Sequence, residues 1–513
     1  MIKKLENLIK GLEVIGAARG LDVEVSGLCH DSRLVKKGSL FICLPGTHVD
    51  GHAFVSDAVA RGAVAVVAQK DMADLKTGFV RVADSLAAMA TIAANFYDHP
   101  ASKLQLVGIT GTNGKTTTSL LLENILRCAG ATPGVLGTIS YRWADKEIPA
   151  AMTTPQSLEL QSLFYQMVQD GVSHVVMEVS SHALALGRVA GCEFKTAVFT
   201  NLSQDHLDFH ANMEDYFAAK KLLFSSCLSP QNSSAAINLD DPYGARMIGN
   251  GACRADRVMG YSAGSNAGAA MGTKAETVYV ENVHLSAQGI RARVQTPEGP
   301  INVDSRFLGK LNLYNILAAI SGALCLGVAP EAIEEGIRKL SHVDGRLQPV
   351  CVPEPCGFQV VVDYAHTPDA MEKAITCLRD MTQKRLIAVF GCGGDRDRKK
   401  RPIMGKVAAK AADILIITSD NPRSEPPEDI LDEIEEGVKA SSLPLLSPAE
   451  MVSAQKGYFR EADRRKAIEL ALTIARPKDM IFIGGKGHET YQIIGSSRQS
   501  FDDRLIVRDY FGG

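Results

Sequence analysis

The sequence predicts an α/β protein with three domains: a small α/β N-terminal domain, a central domain with a phosphate-binding loop and a mostly parallel sheet, and a Rossmann-like C-terminal domain. Near-continuous apolar runs separated by helical patterns recur along the chain, which is typical of parallel strands buried on both faces. A glycine-bearing turn joins one of these runs to a helix. The length of 513 residues is enough for about three domains.

The composition excludes several classes of protein. Hydrophobic residues make up 46% of the chain and charged residues 22%, and the net charge of −3 gives no basis for binding nucleic acid or an anionic membrane. The N-terminus lacks a secretory apolar core, and the longest apolar stretch, 316–329, is too short to span a bilayer. The eleven cysteines form no C-x-x-C pair, so neither a zinc site nor a disulfide framework is indicated. We expect a soluble, cytoplasmic protein.

Residues 1–98 form the predicted N-terminal domain. A helix is predicted over 85–97 and ends at His99-Pro100. Two polar clusters, Asp31-Ser32-Arg33 and Pro45–Gly51, are either turns or ligand-binding loops, and composition does not decide between these alternatives. Buried strands are predicted from the apolar runs at 40–44, 63–67 and 79–82.

Residues 99–342 form the predicted central domain, which opens with a strand over 104–109, a turn and a helix whose C-cap is Gly130. Backbone N–H groups of the turn and of the helix N-terminus converge on one point, which favours an anion. Lys115 adds a positive charge, and the hydroxyl of Thr116 can reach a phosphate-bound Mg²⁺. The stretch therefore predicts a phosphate-binding loop.

Ile109 departs from the usual loop pattern G-x-x-x-x-G-K-[ST], which requires glycine at that position. The alternative interpretation is an ordinary strand–turn–helix that carries a surface lysine. Because the strand, the turn and the helix follow one another in the required order, phosphate binding is the favoured interpretation.

Polar residues follow the later strands of the central domain. Glu178 ends an apolar run and is a candidate Mg²⁺ ligand, because a hard cation prefers carboxylates. His206 is either a ligand or a structural histidine. Lys220 and Lys221 lie on one predicted helix, about 100° apart, so at most one of them faces a central site, and both can be solvated. Further strands are predicted at 175–179, 197–202 and 235–239, with antiparallel ribbons over 277–303.

Residues 343–513 form the predicted C-terminal domain and repeat the same pattern. Polar, glycine-bearing loops follow its strands at 391–397, 419–423 and 484–489. In open parallel sheets, ligands bind at the carboxyl ends of the strands, so these loops are candidate ligand contacts. Strands are predicted at 360–364, 386–390, 414–418 and 480–483.

These motifs, taken together, resemble the Mur ligase family, whose phosphate loop also lacks the first Walker glycine. The resemblance covers essentially the whole chain and keeps the order of the family's motifs. The matching segments are Thr110–Thr117, Glu178–His182, Asn201–Asp208, Ala219-Lys220, Asn312–Asn315, Asp344–Arg346 and Asp363–Pro368.

The resemblance implies an ATP-dependent, ADP-forming ligase of peptidoglycan precursor synthesis that forms an amide bond through an acyl phosphate. It implies two Mg²⁺ ions and a CO₂-derived carbamate on Lys220. The implied partners are small molecules only: ATP, UDP-N-acetylmuramoyl-L-alanyl-D-glutamate and meso-diaminopimelate, with no nucleic acid, no membrane insertion and a monomeric state. The three domains would bind the uridine substrate, ATP and the amino acid in that order.

The resemblance also assigns roles to individual residues. The implied catalytic residues are Lys115, Glu178, His206 and Lys220, and the implied metal ligands are Thr116, Glu178, His206 and carbamylated Lys220. The implied ATP contacts are Gly111, Thr112, Asn113, Gly114, Lys115, Thr116, Thr117, Asn315, Arg346 and Asp363. The implied contacts to the UDP-muramoyl dipeptide are His30, Ser32, Thr47, His48, Val49, Thr153, Thr154, Ser180, Arg188 and Lys220.

The loop Asp420-Asn421-Pro422-Arg423 resembles the signature of diaminopimelate-adding members of the family. A guanidinium such as that of Arg423 can clamp the distal carboxylate of diaminopimelate, which lysine lacks, and Glu489 can pair with the distal ammonium. A lysine-adding member, a folylpolyglutamate synthase-like ligase and a non-enzymatic P-loop switch are the alternatives. The implied amino-acid contacts are His366, Arg396, Asp420, Asn421, Pro422, Arg423, Gly485 and Glu489.

Overall fold

The computed structural model describes residues 1–46, 49–72, 75–264 and 275–512. The chain divides into two compact units. Unit 1 is built mainly from Met1–Tyr261 and Ala318–Ala329, and unit 2 mainly from Val278–Leu317 and Pro330–Gly513. Helices alternate with largely parallel strands in both units, which confirms the predicted α/β class. The finer division at residues 98 and 342 stays a prediction.

The first part of unit 1 carries a four-stranded parallel sheet in the order β3-β4-β5-β6, together with a short antiparallel pair, β1 and β2. Its strands are β1 (Lys3–Lys4), β2 (Glu24–Val25), β3 (Gly27–Cys29), β4 (Ser39–Ile42), β5 (Ala63–Ala68) and β6 (Gly78–Arg81). Its helices are α1 (Leu5–Leu8), α2 (Val55–Ala60) and α3 (Ser85–Phe96). Asp84 caps α3, and the left-handed backbone of His99 before Pro100 prevents the helix from continuing.

A larger sheet forms the rest of unit 1. Its strands are β7 (Gln105–Thr110), β8 (Pro133–Leu136), β9 (Ser140–Trp143), β10 (Lys146–Pro149), β11 (His174–Glu178), β12 (Phe194–Phe199), β13 (Ser234–Asn238) and β14 (Arg257–Ser262). Its helices are α4 (Lys115–Cys128), α5 (Ser157–Gln169), α6 (Ser181–Ala185), α7 (Met213–Ser225) and α8 (Pro242–Ile248). Strands β8, β11, β7, β12, β13 and β14 are parallel neighbours in that order, whereas β9 and β10 are antiparallel. The carboxyl ends of β11, β7 and β12 therefore lie side by side.

The strands from residue 276 onwards are β15 (Glu276–Ser286), β16 (Gly289–Gln295), β17 (Ile301–Ser305), β18 (Gln348–Val350), β19 (Gln359–Asp363), β20 (Leu386–Phe390), β21 (Ile414–Ile417), β22 (Gly457–Arg460), β23 (Met480–Gly484), β24 (Tyr491–Ile494) and β25 (Ser497–Ser500). As predicted, β15, β16 and β17 pair in antiparallel fashion. The main sheet of unit 2 has the order β18-β19-β23-β20-β21-β22 and is parallel except for β18. Strands β24 and β25 form a separate hairpin.

The remaining helices are α9 (Gly309–Cys325), α10 (Pro330–Lys339), α11 (Pro368–Arg379), α12 (Lys400–Ala411), α13 (Pro427–Lys439), α14 (Pro448–Ser453), α15 (Arg464–Ile474) and α16 (Asp503–Tyr510). Short 3-10 helices occur at Ser32–Leu34, Gly51–Phe54, Pro100–Lys103, Gly249–Gly251 and Glu354–Cys356. Strand β20 is buried along its whole length, as its continuous apolar run predicts. Within the described ranges, no helix combines the length and the apolar character needed to cross a membrane.

Candidate functional site

The predicted phosphate loop joins β7 to α4 at the centre of the unit 1 sheet. Gly111 has a φ of 153° and Gly114, the N-cap of α4, has a φ of 87°. A Cβ atom on Gly111 would lie 1.9 Å from Thr200 Oγ1, so no side chain fits at this position. Position 111 therefore requires glycine, and the carbonyls of Gly111 and Thr112 accept from Lys115 Nζ, each at 2.9 Å.

The segment after β12 holds the loop in place. Asn201 Oδ1 accepts from the backbone N–H of Asn113 at 3.0 Å, and Thr200 Oγ1 donates to the carbonyl of Asn113 at 2.7 Å. The carbonyl of Asn201 accepts from the N–H of Thr112 at 2.9 Å. The predicted strand over 197–202 therefore ends early, at Phe199, because the next two residues turn to bind the loop. Sequence reasoning missed this supporting role.

Glu178 lies at the end of β11 and is buried. Its Oε2 accepts from Thr116 Oγ1 and from Thr138 Oγ1, both at 3.1 Å, and its Oε1 accepts from the N–H of Thr138 at 2.9 Å. The carboxylate and the hydroxyl of Thr116 thus form an oxygen donor set at the start of α4. Thr138 is a second residue that the sequence did not reveal, because it lies in an ordinary polar turn.

Lys220 lies on α7 with only 1% of its surface exposed. Its Nζ donates to the carbonyl of Gly111 at 2.9 Å and lies 4.5 Å from the centroid of the Tyr216 ring. Burial, and secondly the charge of Lys115, hold the pKa of Lys220 well below its ordinary value. Lys221 is only partly buried. Of the two adjacent lysines, Lys220 is the one that contacts the loop.

His206 lies in the segment after β12 and has a left-handed backbone, with a φ of 53°. Its ring centroid lies 4.9 Å from that of His182, and its Nε2 lies 3.5 Å from Asp205 Oδ2. Desolvation lowers the pKa of His206, and it lowers the pKa of His182 to about 4, with neighbouring histidines adding to the effect. Imidazoles kept neutral in this way retain a lone pair for a cation.

The residues implied to contact the muramoyl peptide lie beside Glu178. Thr154 Oγ1 donates to the carbonyl of Glu178 at 2.9 Å and accepts from the N–H of Ser180 at 3.1 Å. Arg188 donates to the carbonyl of Thr154 at 3.2 Å. Thr153 Oγ1 lies 3.1 Å from Thr138 Oγ1. These four side chains form one patch at the carboxyl end of β11.

The residues implied to bind the uridine nucleotide lie in the first part of unit 1. His30 and Val49 are exposed, and Ser32 begins a short 3-10 helix that Asp31 caps. Hydrogen bonds from Arg33 lower the pKa of Asp31 to about 2. Thr47 and His48 lie outside the described residues.

In unit 2, Asp363 ends β19 and accepts from the backbone N–H groups of Leu347 at 2.7 Å and Ala365 at 2.8 Å. Desolvation raises the pKa of Asp363, although the charge of Arg346 opposes the shift. The guanidinium of Arg346 lies 4.9 Å from the centroid of the Tyr364 ring. In α9, the Asn315 amide donates to Asn312 Oδ1 at 3.1 Å.

The loops after β21 and β23 meet around a fully buried lysine. Lys486 Nζ donates to Asn421 Oδ1 at 3.0 Å and to the carbonyl of Tyr491 at 2.7 Å, and lies 3.4 Å from carboxylate oxygens of Asp420 and Glu489. Asn421 Nδ2 also donates to Glu489 Oε2 at 2.9 Å. Sequence reasoning missed Lys486, because a lysine in a glycine-rich turn gives no sign that it is buried.

Gly485 completes this cluster, since a Cβ atom there would lie 2.9 Å from Asp420 Oδ2. His366 lies nearby along the same edge: its ring centroid is 4.5 Å from that of Tyr364, which is 4.9 Å from that of His488.

Arg423 follows buried Pro422 and has a left-handed backbone, with a φ of 52°. The hairpin β24–β25 holds it there: its N–H donates to the carbonyl of Ile493 at 3.1 Å, and its carbonyl accepts from the N–H of Gly495 at 2.7 Å. Its Nη1 donates to the carbonyl of Gly394 at 2.7 Å. The exposed side chain of Arg396 lies next to Gly393, in the loop that follows β20.

Three family models match the chain. They are the Mur ligase family catalytic domain over residues 24–97, the Mur ligase middle domain over 109–323, and the Mur ligase glutamate ligase domain over 345–487. The chain belongs to the Mur ligase family. The resemblance drawn from the motifs is thereby confirmed.

Relatives within the Mur ligase family match along their whole length. Proteins named UDP-N-acetylmuramoyl-L-alanyl-D-glutamate–2,6-diaminopimelate ligase from Geobacter metallireducens and Gloeobacter violaceus are 44% and 45% identical, over 99% and 95% of this chain and 98% and 94% of their own. A solved structure of a ligase with that name is 30% identical, with a TM-score of 0.70, and covers 100% of this chain and 99% of its own. A folylpolyglutamate synthase from Mycobacterium tuberculosis, 16% identical with a TM-score of 0.60 over 83% of this chain and 95% of its own, shares the fold alone.

Proposed function

We propose that this chain joins meso-diaminopimelate to UDP-N-acetylmuramoyl-L-alanyl-D-glutamate, with ATP converted to ADP and phosphate. The names of the full-length relatives support this proposal. The observation that carries it is the set of contacts among Asn421, Lys486 and Glu489, with Arg423 on the same loop. These groups offer both charges to one ligand at the carboxyl ends of the strands.

The distal end of diaminopimelate carries a carboxylate and an ammonium, whereas the distal end of lysine carries only the ammonium. The guanidinium of Arg423 would bind the carboxylate with two parallel hydrogen bonds. Glu489 would accept from the ammonium. The other proposed contacts are His366, Arg396, Asp420, Asn421, Pro422 and Gly485.

ATP would bind with its phosphates on the backbone of Gly111–Thr117, since that loop leads into the N-terminus of α4. Lys115 would offset the charge of the γ-phosphate. Asn315, Arg346 and Asp363 would contact the nucleoside. His30, Ser32, Thr47, His48 and Val49 would bind the uridine nucleotide, and Thr153, Thr154, Ser180 and Arg188 the muramoyl peptide.

The residues present fit the two Mg²⁺ ions that the family implies. Glu178 and the hydroxyl of Thr116 offer oxygen ligands 3.1 Å apart for one ion. His206 and a carbamate on Lys220 would hold the other. The depressed pKa of Lys220 fits this modification, because only a neutral amine adds CO₂. When bound, Mg²⁺ neutralises charge on phosphate oxygens.

The reaction then proceeds in two displacements. The γ-carboxylate of D-glutamate attacks the γ-phosphorus of ATP, which forms an acyl phosphate and releases ADP. The amine of diaminopimelate attacks the acyl carbon and loses a proton, and phosphate leaves. Lys115 holds the transferred phosphoryl group, and the patch around Thr154 orients the carboxylate, so catalysis rests on positioning.

An assay of ADP release tests the proposal. ADP should form over many turnovers only when ATP, the UDP-muramoyl dipeptide and diaminopimelate are all present, and the product should gain the mass of one diaminopimelate residue. Parallel reactions contain lysine or glutamate instead. Preferred use of lysine would identify a lysine-adding enzyme, and multiple-turnover ADP release without any amino acid would contradict the ligase proposal.

A further inference from the structure

Arg464 and Asp503 form an ion pair inside unit 2, and both side chains are completely buried. Arg464 begins α15 and Asp503 begins α16. The guanidinium donates to the carboxylate through Nε at 2.9 Å and through Nη2 at 2.7 Å. This two-point contact fixes the plane of the guanidinium.

The other donors of Arg464 point to the edge of the sheet where the amino-acid loops begin. Nη1 donates to the carbonyl of Ser419 at 3.3 Å, and Nη2 donates to the carbonyl of Gly484 at 3.0 Å. These carbonyls belong to the residues directly before Asp420 and Gly485. One side chain is therefore hydrogen-bonded to the carboxyl ends of both β21 and β23, although β20 lies between these strands in the sheet.

We propose that Arg464, oriented by Asp503, is a positioning residue that sets the spacing of the two amino-acid-binding loops. Its side chain is completely buried and is therefore not one of the proposed substrate contacts. Its two carbonyl bonds hold the backbone just before Asp420 and Gly485, and a shift of either loop would misplace Asn421 relative to Glu489. This inference rests on the proposed function of that loop pair and adds α16 to the elements on which it depends.

A second buried ion pair offers a matched control. Arg385 donates to Asp479 through Nε at 3.1 Å and through Nη2 at 2.6 Å, and both side chains are at most 5% exposed. Its remaining donors bind the carbonyls of Ala454 and Ile474, each at 2.8 Å. This pair lies at the amino ends of β20 and β23. The two pairs share their chemistry and burial but lie at opposite ends of the strands.

The test compares Arg464→Lys, Arg464→Met and Asp503→Asn with Arg385→Lys, Arg385→Met and Asp479→Asn in the full chain. Thermal midpoints and the KM values for diaminopimelate, ATP and the UDP-muramoyl dipeptide are measured for each variant. We expect both groups to lose stability. The KM for diaminopimelate should rise about 10- to 100-fold in the Arg464 group. In the Arg385 group it should change less than about twofold, because those variants lose stability without moving the amino-acid-binding loops.

Arg464→Lys provides the sharpest result. It keeps the charge opposite Asp503 but lacks the planar fork, so it should recover stability relative to Arg464→Met without recovering the KM. If the Arg464 variants do not fold, Asp503→Asn, which has the same shape as the native residue, carries the test. Equal KM values in the two groups would overturn the inference. If the wild type uses lysine instead, the proposed function fails, and the same comparison is made with lysine.

Discussion

The Nζ atom of Lys220 lies 2.9 Å from the carbonyl oxygen of Gly111, 109 residues earlier in the chain. A lysine on α7 is thus hydrogen-bonded to the loop that follows β7. A carbamate on this amine would retain one N–H group, so it could keep the bond to Gly111 while its oxygens face away. The contact links the proposed carbamate to the phosphate loop.

Lys220→Ala should reduce kcat/KM on the order of 100-fold or more, because a metal ligand contributes several kcal/mol to the transition state. Adding a short carboxylic acid such as acetate should restore part of the activity by placing an oxygen ligand in the vacated space. The measurement is ADP release with and without the acid. Lys221→Ala is the control and should retain wild-type activity. Full activity of Lys220→Ala without any added acid would reject the carbamate role.

Arg423→Ala should raise the KM for diaminopimelate about 10- to 100-fold, the effect of losing a charged hydrogen-bonded contact of about 1.5–3 kcal/mol. The KM values for ATP and for the UDP-muramoyl dipeptide should stay within about twofold. Steady-state kinetics with each substrate varied in turn measures the split. Arg398→Ala, which removes an exposed arginine paired with Glu433, is the control. An equal rise in all three KM values would contradict the clamp.

Thr138→Val should raise the Mg²⁺ concentration needed for half-maximal activity about 10-fold, because it removes a hydrogen bond that orients Glu178. The N–H of Thr138 and the hydroxyl of Thr116 remain, so the carboxylate keeps two partners and the fold should persist. A Mg²⁺ titration of ADP release at saturating substrates measures the effect. Thr473→Val, an exposed change on α15, should leave the titration unchanged. An unaltered Mg²⁺ requirement in Thr138→Val would show that Thr138 does not support the ligand.

Protonation of Glu425 in acid should lower the stability of unit 2. Arg401 donates to both oxygens of Glu425 at 2.8 Å, and this contact lowers the pKa of Glu425 from 4.5 to about 2. Because the folded-state pKa is the lower one, the stabilisation is complete above pH 4.5 and is lost as the pH falls towards 2. Its size is on the order of 2 kcal/mol.

Glu425→Gln measures this contribution. The thermal midpoint of the variant should lie below that of the wild type at pH 6, and the difference should shrink as the pH is lowered towards 3. Glu428→Gln, which removes an exposed carboxylate near Arg460, controls for the loss of one charge. A difference that stays constant with pH would refute the assigned pKa.

The sequence predicted those parts of the molecule whose signals are local. Apolar runs revealed β20 and β23, and the glycine pattern revealed the phosphate loop, because strands and turns depend on neighbouring residues. Helix geometry showed that at most one of the two adjacent lysines of α7 can face a central site. Which one it is became clear only from the contact between Lys220 and Gly111.

Residues that act through distant partners gave no such signal. Thr138 and Glu178 are 40 residues apart, and Lys486 reaches Asn421 across 65 residues. In the sequence, Arg464 belongs to a charged segment that is typical of an exposed helix N-terminus. Its burial follows from the packing of α15 against α16. These pairings depend on the tertiary fold, which a pattern of neighbouring residues does not encode.

The hairpin β24–β25 positions Arg423 with backbone atoms alone, through the carbonyl of Ile493 and the N–H of Gly495. Every residue of β25 is exposed. Mutations can therefore accumulate along β25 over evolutionary time without moving the arginine, provided that the hairpin still forms. Divergence in this stretch between two ligases would be a poor guide to a difference in the amino acid they select, and its solvent-facing strand is a suitable place for an inserted epitope or a fluorescent label.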